Sequence, residues 1–458
     1  MYTPHTESDV EEMLAVIGAA SLDELVRVPD AVALRRPLEL PAGLPETELA
    51  GRMASYAARN GALGYTSFLG AGAYRHYCPP VVMSLAMRGE FLTAYTPYQA
   101  EVSQGYLQAI YEWQTYVSLL TGLALANASV YDGATALAEG AIMAVNATGR
   151  RAVLVSKAVH PNYRAVLRTY ASGLELEVDE LPLAADGTTD LSGLDGKLAG
   201  KHYAALVLQS PNFFGCIDSP GAAARKAVEG SGTVLVGVVA EALSLAVLDP
   251  PGAWGAAIAV GEAQSFGNPL AYGGPYVGFI ATTKEHMRRI PGRLVGRTVD
   301  NRGNTAYVLT LQAREQHIRR EKATSNICTN QAHCALVATI YLAALGATGL
   351  RRAAVLNLER TRLLSERVAG LPGFSRAFAA PVFNEVAIRV PAGLSAARVL
   401  SALEDRKILG GVDLCRWYPE LADCMLTNAT ELTSPAEIEA LRAALAEIAA
   451  SAKETVHA

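Results

Sequence analysis

The residues able to do chemistry fall into a few short clusters. The densest is Tyr95-Thr96-Pro97-Tyr98-Gln99-Ala100-Glu101. Its tyrosines bring rigid ring area with a hydroxyl at the tip, and Glu101 could orient or exchange a proton. The plainer alternative is helix entry and subunit contact. His76 and Tyr77 lie just upstream, in a stretch rich in Gly, Tyr and Pro. Asp132-Gly133-Ala134-Thr135 opens a helical pattern. Free N–H groups and the helix dipole suit such a start to a phosphate, although the plainer reading of Asp132 is a simple N-cap. His160 follows the apolar run 152–156, where its ring could stack on a flat ligand. Ser210-Pro211-Asn212 and Glu241 follow two further apolar runs. Gln264-Ser265-Phe266-Gly267 leads into the turn Tyr272-Gly273-Gly274-Pro275, whose glycines would let backbone approach a ligand or a neighbouring chain, or simply turn between strands. In open α/β sheets, ligands gather beyond the carboxyl ends of strands, so several polar groups at such ends carry more weight than one. Arg319–Asn326 reads as a solvated charged loop or an anion clamp.

Other chemistries are missing. There is no phosphate loop of the Gly-x-x-x-x-Gly-Lys type and no His-Glu-x-x-His; Gly70-Ala71-Gly72 reads as a loop. The six cysteines (78, 216, 328, 334, 415, 424) have no zinc-like spacing and read as small buried residues of a reducing cytoplasm. No metal site is expected. The N-terminus is acidic and lacks the pattern of a signal peptide. The most apolar stretch, 233–250, is broken by Glu241 and is too short to span a membrane. A net charge of −5 offers no basic field for nucleic acid or an anionic membrane. At 458 residues, 51% hydrophobic and 18% charged, the chain can build a core without disulfide or metal.

The elements that must position these clusters follow from periodicity. Residues 1–60 read as a helical arm, with Ser8 capping a helix through Ile17 and Pro45 opening another through Asn60. Residues 61–105 are irregular. Apolar runs at 152–156, 174–178, 203–209, 233–239, 256–261 and 276–282 alternate with helices at 132–148, 160–171 and 219–229. This alternation predicts an α/β fold around a mostly parallel sheet covered on both faces. A polar stretch, 290–325, precedes helices at 329–346 and 349–370. A strand over 382–390 and helices at 394–405 and 434–450 complete the chain. The expected domains are an N-terminal helical arm (1–60), a large domain (61–315) and a smaller α+β C-terminal domain (316–458).

Several segments together resemble one family: SFLGAGAYRHYCPPVV, TAYTPYQAEVSQGYLQAIYEWQT, YDGATALAEG, SPNFFGCIDS, AQSFGNPLAYGGPYVGF and REKATSNICTNQ. The family is the P-protein of the glycine cleavage system, glycine dehydrogenase (decarboxylating), and within it the first subunit of the bacterial two-subunit form. The resemblance implies the pyridoxal-phosphate (PLP) fold of the aspartate-aminotransferase type. Such folds hold PLP through a lysine, a phosphate cup, a stacking side chain and an acidic partner for the ring nitrogen. The implied cup is Asp132, Gly133 and Thr135, the stacking residue His160 and the acid Glu241. Gln264 occupies the implied lysine position, and an amide nitrogen is not a nucleophilic amine. Only eight lysines occur, and of these Lys157 and Lys284 alone lie near strand ends of the α/β region.

The chain is therefore expected to carry no PLP covalently. PLP belongs on a sister subunit, in a cytoplasmic complex that pairs in twos as a heterotetramer. The implied activity is decarboxylation of glycine and transfer of the aminomethyl group to the lipoyl arm of H-protein. The implied contribution of this chain is a loop completing the sister's pocket, with Tyr95, Tyr98, Gln99 and Glu101 foremost, then His76 and Tyr77. The alternatives are an inert scaffold that stabilises the sister or docks H-protein, and a self-sufficient PLP decarboxylase using Lys157 or Lys284.

Overall fold

Five of the six apolar runs, a displaced sixth and one two-residue segment line up as a seven-stranded sheet. The strands are β1 (Leu125–Ala126), β2 (Ala152–Ser156), β3 (Glu177–Leu181), β4 (Tyr203–Gln209), β5 (Val234–Val239), β6 (Ile258–Glu262) and β7 (Gly278–Thr282). Their spatial order is β1-β7-β6-β5-β4-β2-β3. Neighbours from β3 to β6 run parallel, while β7 runs antiparallel to both β6 and β1. β2, β5, β6 and β7 are buried throughout, as strands covered on both faces must be. The computed structural model describes every residue except 1–3, 27, 35, 201, 219, 328, 329 and 458, and the side chains of 63 and 452–457.

Helices cover both sheet faces. α1 (Glu7–Ile17) and α2 (Glu46–Ala58) belong to a separate unit, Met1–Leu63. Thr6, rather than Ser8, caps α1: it forms a reciprocal capping box with Asp9. Neither helix buries a residue, and Val16 is 89% exposed. In the second unit, Gly64–Ala458, α3 (Gln104–Thr121) lies on one sheet face and α4 (Gly133–Thr148) and α5 (Pro161–Gly173) on the other. Asp132 caps α4 by accepting from the Thr135 N–H at 2.7 Å.

The two helices expected at 329–346 and 349–370 form one element, α6 (Ala332–Ala369), kinked where Gly346 adopts φ 59°. α6 is long and apolar enough to cross a membrane. It is a core helix instead: Val337, Tyr341 and Leu342 pack on the sheet side, and Leu364 and Val368 pack on a second sheet. That sheet contains β8 (Ser375–Arg376), β9 (Glu385–Arg389), β10 (Val412–Asp413) and β11 (Cys424–Asn428), ordered β8-β9-β11-β10 and antiparallel. α7 (Ala396–Glu404) and α8 (Pro435–His457) close its core. Five cysteines are free, and Cys328 lies outside the described residues.

Candidate functional site

The carboxyl edge of the main sheet gathers the polar residues that the sequence places at strand ends. His160 follows β2, Asn212 follows β4, Glu241 follows β5, and Gln264 lies two residues beyond β6. All four are buried. The irregular loop 70–77 enters the same cleft and engages three of them.

Gln264 spends its whole amide on backbone. Its Oε1 accepts from the Tyr74 N–H at 3.0 Å. Its Nε2 donates to the Tyr74 carbonyl at 3.1 Å and to the Asn268 carbonyl at 2.8 Å. The Tyr74 hydroxyl donates to Glu385 Oε2 at 2.8 Å, and the Ala71 N–H donates to Glu385 Oε1 at 2.6 Å. Burial pushes the Glu385 carboxyl up to about 7 against those hydrogen bonds, which favour its charged form.

His76 lies between two acids. Its Nδ1 is 2.9 Å from Glu431 Oε2 and its Nε2 is 3.1 Å from Glu241 Oε2, with the imidazole side chain 2% exposed. With both nitrogens facing carboxylate oxygens, the ring is the doubly protonated cation. Burial opposes that charge, but the carboxylates of Glu241 and Glu431 outweigh it and raise the imidazole to about 10. Glu431 also accepts from the Tyr77 N–H at 2.6 Å and from Asn357 Nδ2 at 3.0 Å.

The implied phosphate cup is closed from within. The Gly133 N–H donates to Glu262 Oε2 at 3.0 Å, and Thr135 is taken by Asp132. The other Glu262 oxygen accepts from the Gln264 and Val277 N–H groups. Burial raises this carboxyl to about 7. The implied stacking face of His160 is covered by Tyr163, with ring centroids 4.8 Å apart at 28°. His160 Nδ1 accepts from the Asn162 N–H and Nε2 donates to the Ala71 carbonyl, which fixes the neutral Nε2–H tautomer. Burial holds this imidazole down at about 4.

PLP does not fit this cleft. At the implied lysine position stands Gln264, whose amide oxygen and nitrogen are both hydrogen-bonded, and the implied stacking face is covered. The N–H groups that would take a phosphate already bind carboxylates, and those would repel one. Lys157 and Lys284 are both exposed.

The remaining sequence candidates lie elsewhere. Tyr95 is 99% exposed, and Gln99 and Glu101 are exposed with it. Tyr98 is part-buried, its hydroxyl donating to Asn330 Oδ1 and its ring lying 4.1 Å beneath the Arg293 guanidinium. Burial pushes that phenol up to about 12 despite the nearby Arg293. Tyr77 leaves the cleft with its side chain exposed. Arg319 and Lys322 line a separate cavity of about 680 Å³ with Arg288, Arg289 and Arg314.

Glu262, Glu385, Glu431, Tyr74 and Tyr163 were not legible as site residues from the sequence. The available signal was an acid inside or just after an apolar strand, as in AIAVGE and VFNEVAIRV.

The family model of the glycine cleavage system P-protein matches residues 1–445. The chain belongs to this family. A relative from Moorella thermoacetica named "probable glycine dehydrogenase (decarboxylating) subunit 1" is 50% identical over 98% of this chain and all of its own length. A relative of the same name from Carboxydothermus hydrogenoformans is 48% identical over 96% of this chain and 98% of its own. The crystal structure of an inhibitor-bound glycine decarboxylase (P-protein) of the glycine cleavage system superposes with a TM-score of 0.90 at 46% identity, covering 98% of this chain and 100% of that one. A sphingosine-1-phosphate lyase from Burkholderia pseudomallei K96243 shares the fold at a TM-score of 0.68 and 15% identity, over 94% of this P-protein chain and 96% of its own. The fold is thus that of PLP-dependent enzymes of the aspartate-aminotransferase type.

Proposed function

We propose that this P-protein chain is the cofactor-free first subunit of a two-subunit glycine dehydrogenase (decarboxylating). A sister subunit carries PLP, the complex works in the cytoplasm as a heterotetramer, and H-protein receives the aminomethyl group on its lipoyl arm. The observation that carries this reading is Gln264. It stands at the lysine position, and both ends of its amide are committed to the loop and to Asn268.

PLP on the sister subunit supplies the electron sink that lets glycine lose CO₂. The residues of this chain bind, orient and exclude water around that pocket. Tyr95, Gln99 and Glu101 face outward and suit a pocket completed across an interface. The Tyr95 hydroxyl would hold the substrate carboxylate, and Glu101 would orient or exchange a proton. Tyr98, fixed by Asn330 and Arg293, would brace that loop, and Tyr77 would border it. The inert-scaffold alternative differs in leaving chemistry unchanged when these side chains are removed.

The test uses the purified chain, the sister subunit and PLP. The chain alone should develop no visible absorption that borohydride fixes covalently. The mixture should develop one that mass spectrometry places on the sister, and it should exchange labelled CO₂ into glycine. Covalent fixation of PLP to this chain, or a mixture without exchange, would overturn the reading.

A further inference from the structure

Residues 70–77 form no regular secondary structure, yet side-chain hydrogen bonds, most of them to remote segments, hold them at several positions. Ala71 is held by Glu385 and His160, Gly72 by the Tyr74 hydroxyl and Tyr74 by Gln264 and Glu385. His76 is held by Glu241 and Glu431, and Tyr77 by Glu431. The Thr430 hydroxyl adds a bond to the Arg75 carbonyl at 2.7 Å.

Filling an unused cleft does not require this arrangement. Apolar side chains of the same volume would close it without desolvating three carboxylates and an imidazolium. What a fully satisfied polar network adds is a single backbone geometry. The loop it fixes leads directly to a surface bearing exposed Tyr77, Val81, Met83, Met87, Leu92 and Tyr95. Apolar residues crowded along one surface segment mark a contact with another chain.

We infer that Gln264, Glu385 and the Glu241–His76–Glu431 triad form a positioning clamp, which fixes loop 70–77 so that the surface at 77–101 meets the sister subunit in one productive geometry. The inference rests on the proposed function for the identity of that partner. None of the clamp residues touches substrate; they act through the loop. His76, which the sequence places among the contact residues, belongs to the clamp because both its ring nitrogens are occupied.

The test replaces Gln264→Leu, which keeps the bulk but frees the Tyr74 N–H and carbonyl. In the isolated chain, amide exchange across 70–77 should accelerate by about tenfold, as expected for loss of hydrogen bonds worth that factor. The variant should still co-elute with the sister subunit. In the complex supplied with lipoyl H-protein as acceptor of the aminomethyl group, kcat for glycine should fall about tenfold, and combining Gln264→Leu with Tyr95→Ala should cost less than the product of the two separate losses. If Gln264→Leu does not fold, Glu385→Gln faces the same measurements. A complex whose kcat and KM stay within about twofold of wild type, or whose two losses multiply, overturns the clamp. Failure of the wild-type complex to release CO₂ from glycine overturns the proposed function instead.

Discussion

The cleft at the carboxyl edge of the sheet and the surface that follows it in the chain are built in opposite ways. In the cleft, Glu241, Glu262, Gln264 and Glu385 are buried, and all of them accept hydrogen bonds from N–H or O–H groups of the chain itself. On the surface, Tyr95 is 99% exposed, and Tyr77 and Leu92 are exposed with it. The cleft is polar but closed; the outward face is aromatic and open. Inside the cleft the polar groups serve as internal fasteners, while on the outward face they are left to solvent.

The contrast can be broken most forcefully at the triad. His76→Ala leaves Glu241 and Glu431 buried without their shared cation and should cost about 3–5 kcal/mol, read by denaturant unfolding near neutral pH. The sign with pH follows from the raised imidazole at about 10. The folded chain holds that proton more tightly than the unfolded one. The stabilisation is complete below the unfolded value near 6.5 and disappears as pH rises through about 10. The difference between wild type and His76→Ala should shrink over that window. A constant difference would mean that His76 is not the cation.

On the open face the effect should be kinetic. Tyr95→Ala and Glu101→Ala should lower the turnover of the assembled complex by about tenfold or more. Because both side chains are exposed, their unfolding free energies should stay within about 0.5 kcal/mol of wild type. Unchanged turnover and CO₂ exchange would favour the inert-scaffold alternative.

Glu385 sharpens the cleft side by pH. Burial raises its carboxyl to about 7, so the folded chain favours the protonated form and loses stability as pH rises from about 4.5 to 7. Glu385→Gln should remove one proton's share of that slope, at most about 1.4 kcal/mol per pH unit. The smallest effect belongs to Tyr74→Phe, which deletes the hydroxyl between Gly72 and Glu385. It should cost about 1 kcal/mol with assembly intact, measured by thermal unfolding and co-elution.

Much of the frame was legible because burial on both faces writes continuous apolar runs. β2 and β4 coincide with the runs at 152–156 and 203–209. The run at 174–178 misplaces β3, which spans Glu177–Leu181 at the sheet edge and alternates in exposure, so polar residues belong to it. The antiparallel direction of β7 leaves no trace in composition. The hairpin of Val295–Val299 with Thr305–Leu309 was hidden in a stretch that reads as polar and Arg-rich. Within the cleft, His160, Asn212 and Glu241 were legible by their position after strands, and Gln264 only through the family resemblance. Their partners were not, because Tyr74 and Glu385 are 311 residues apart and only the assembled fold brings them together.

Two glycines carry a consequence for access to the cleft. A side chain at Gly133 would strike the Tyr163 hydroxyl, and one at Gly72, with φ +100°, would come within 2.6 Å of His160 Nε2. The stopper and the walls have been cut to each other's shape. A longer side chain at position 264 would therefore meet an occupied chamber, and Glu262 and loop 70–77 would have to yield as well. The seal is collective: a side chain added at Gly72 or Gly133 runs into the opposite wall rather than opening space.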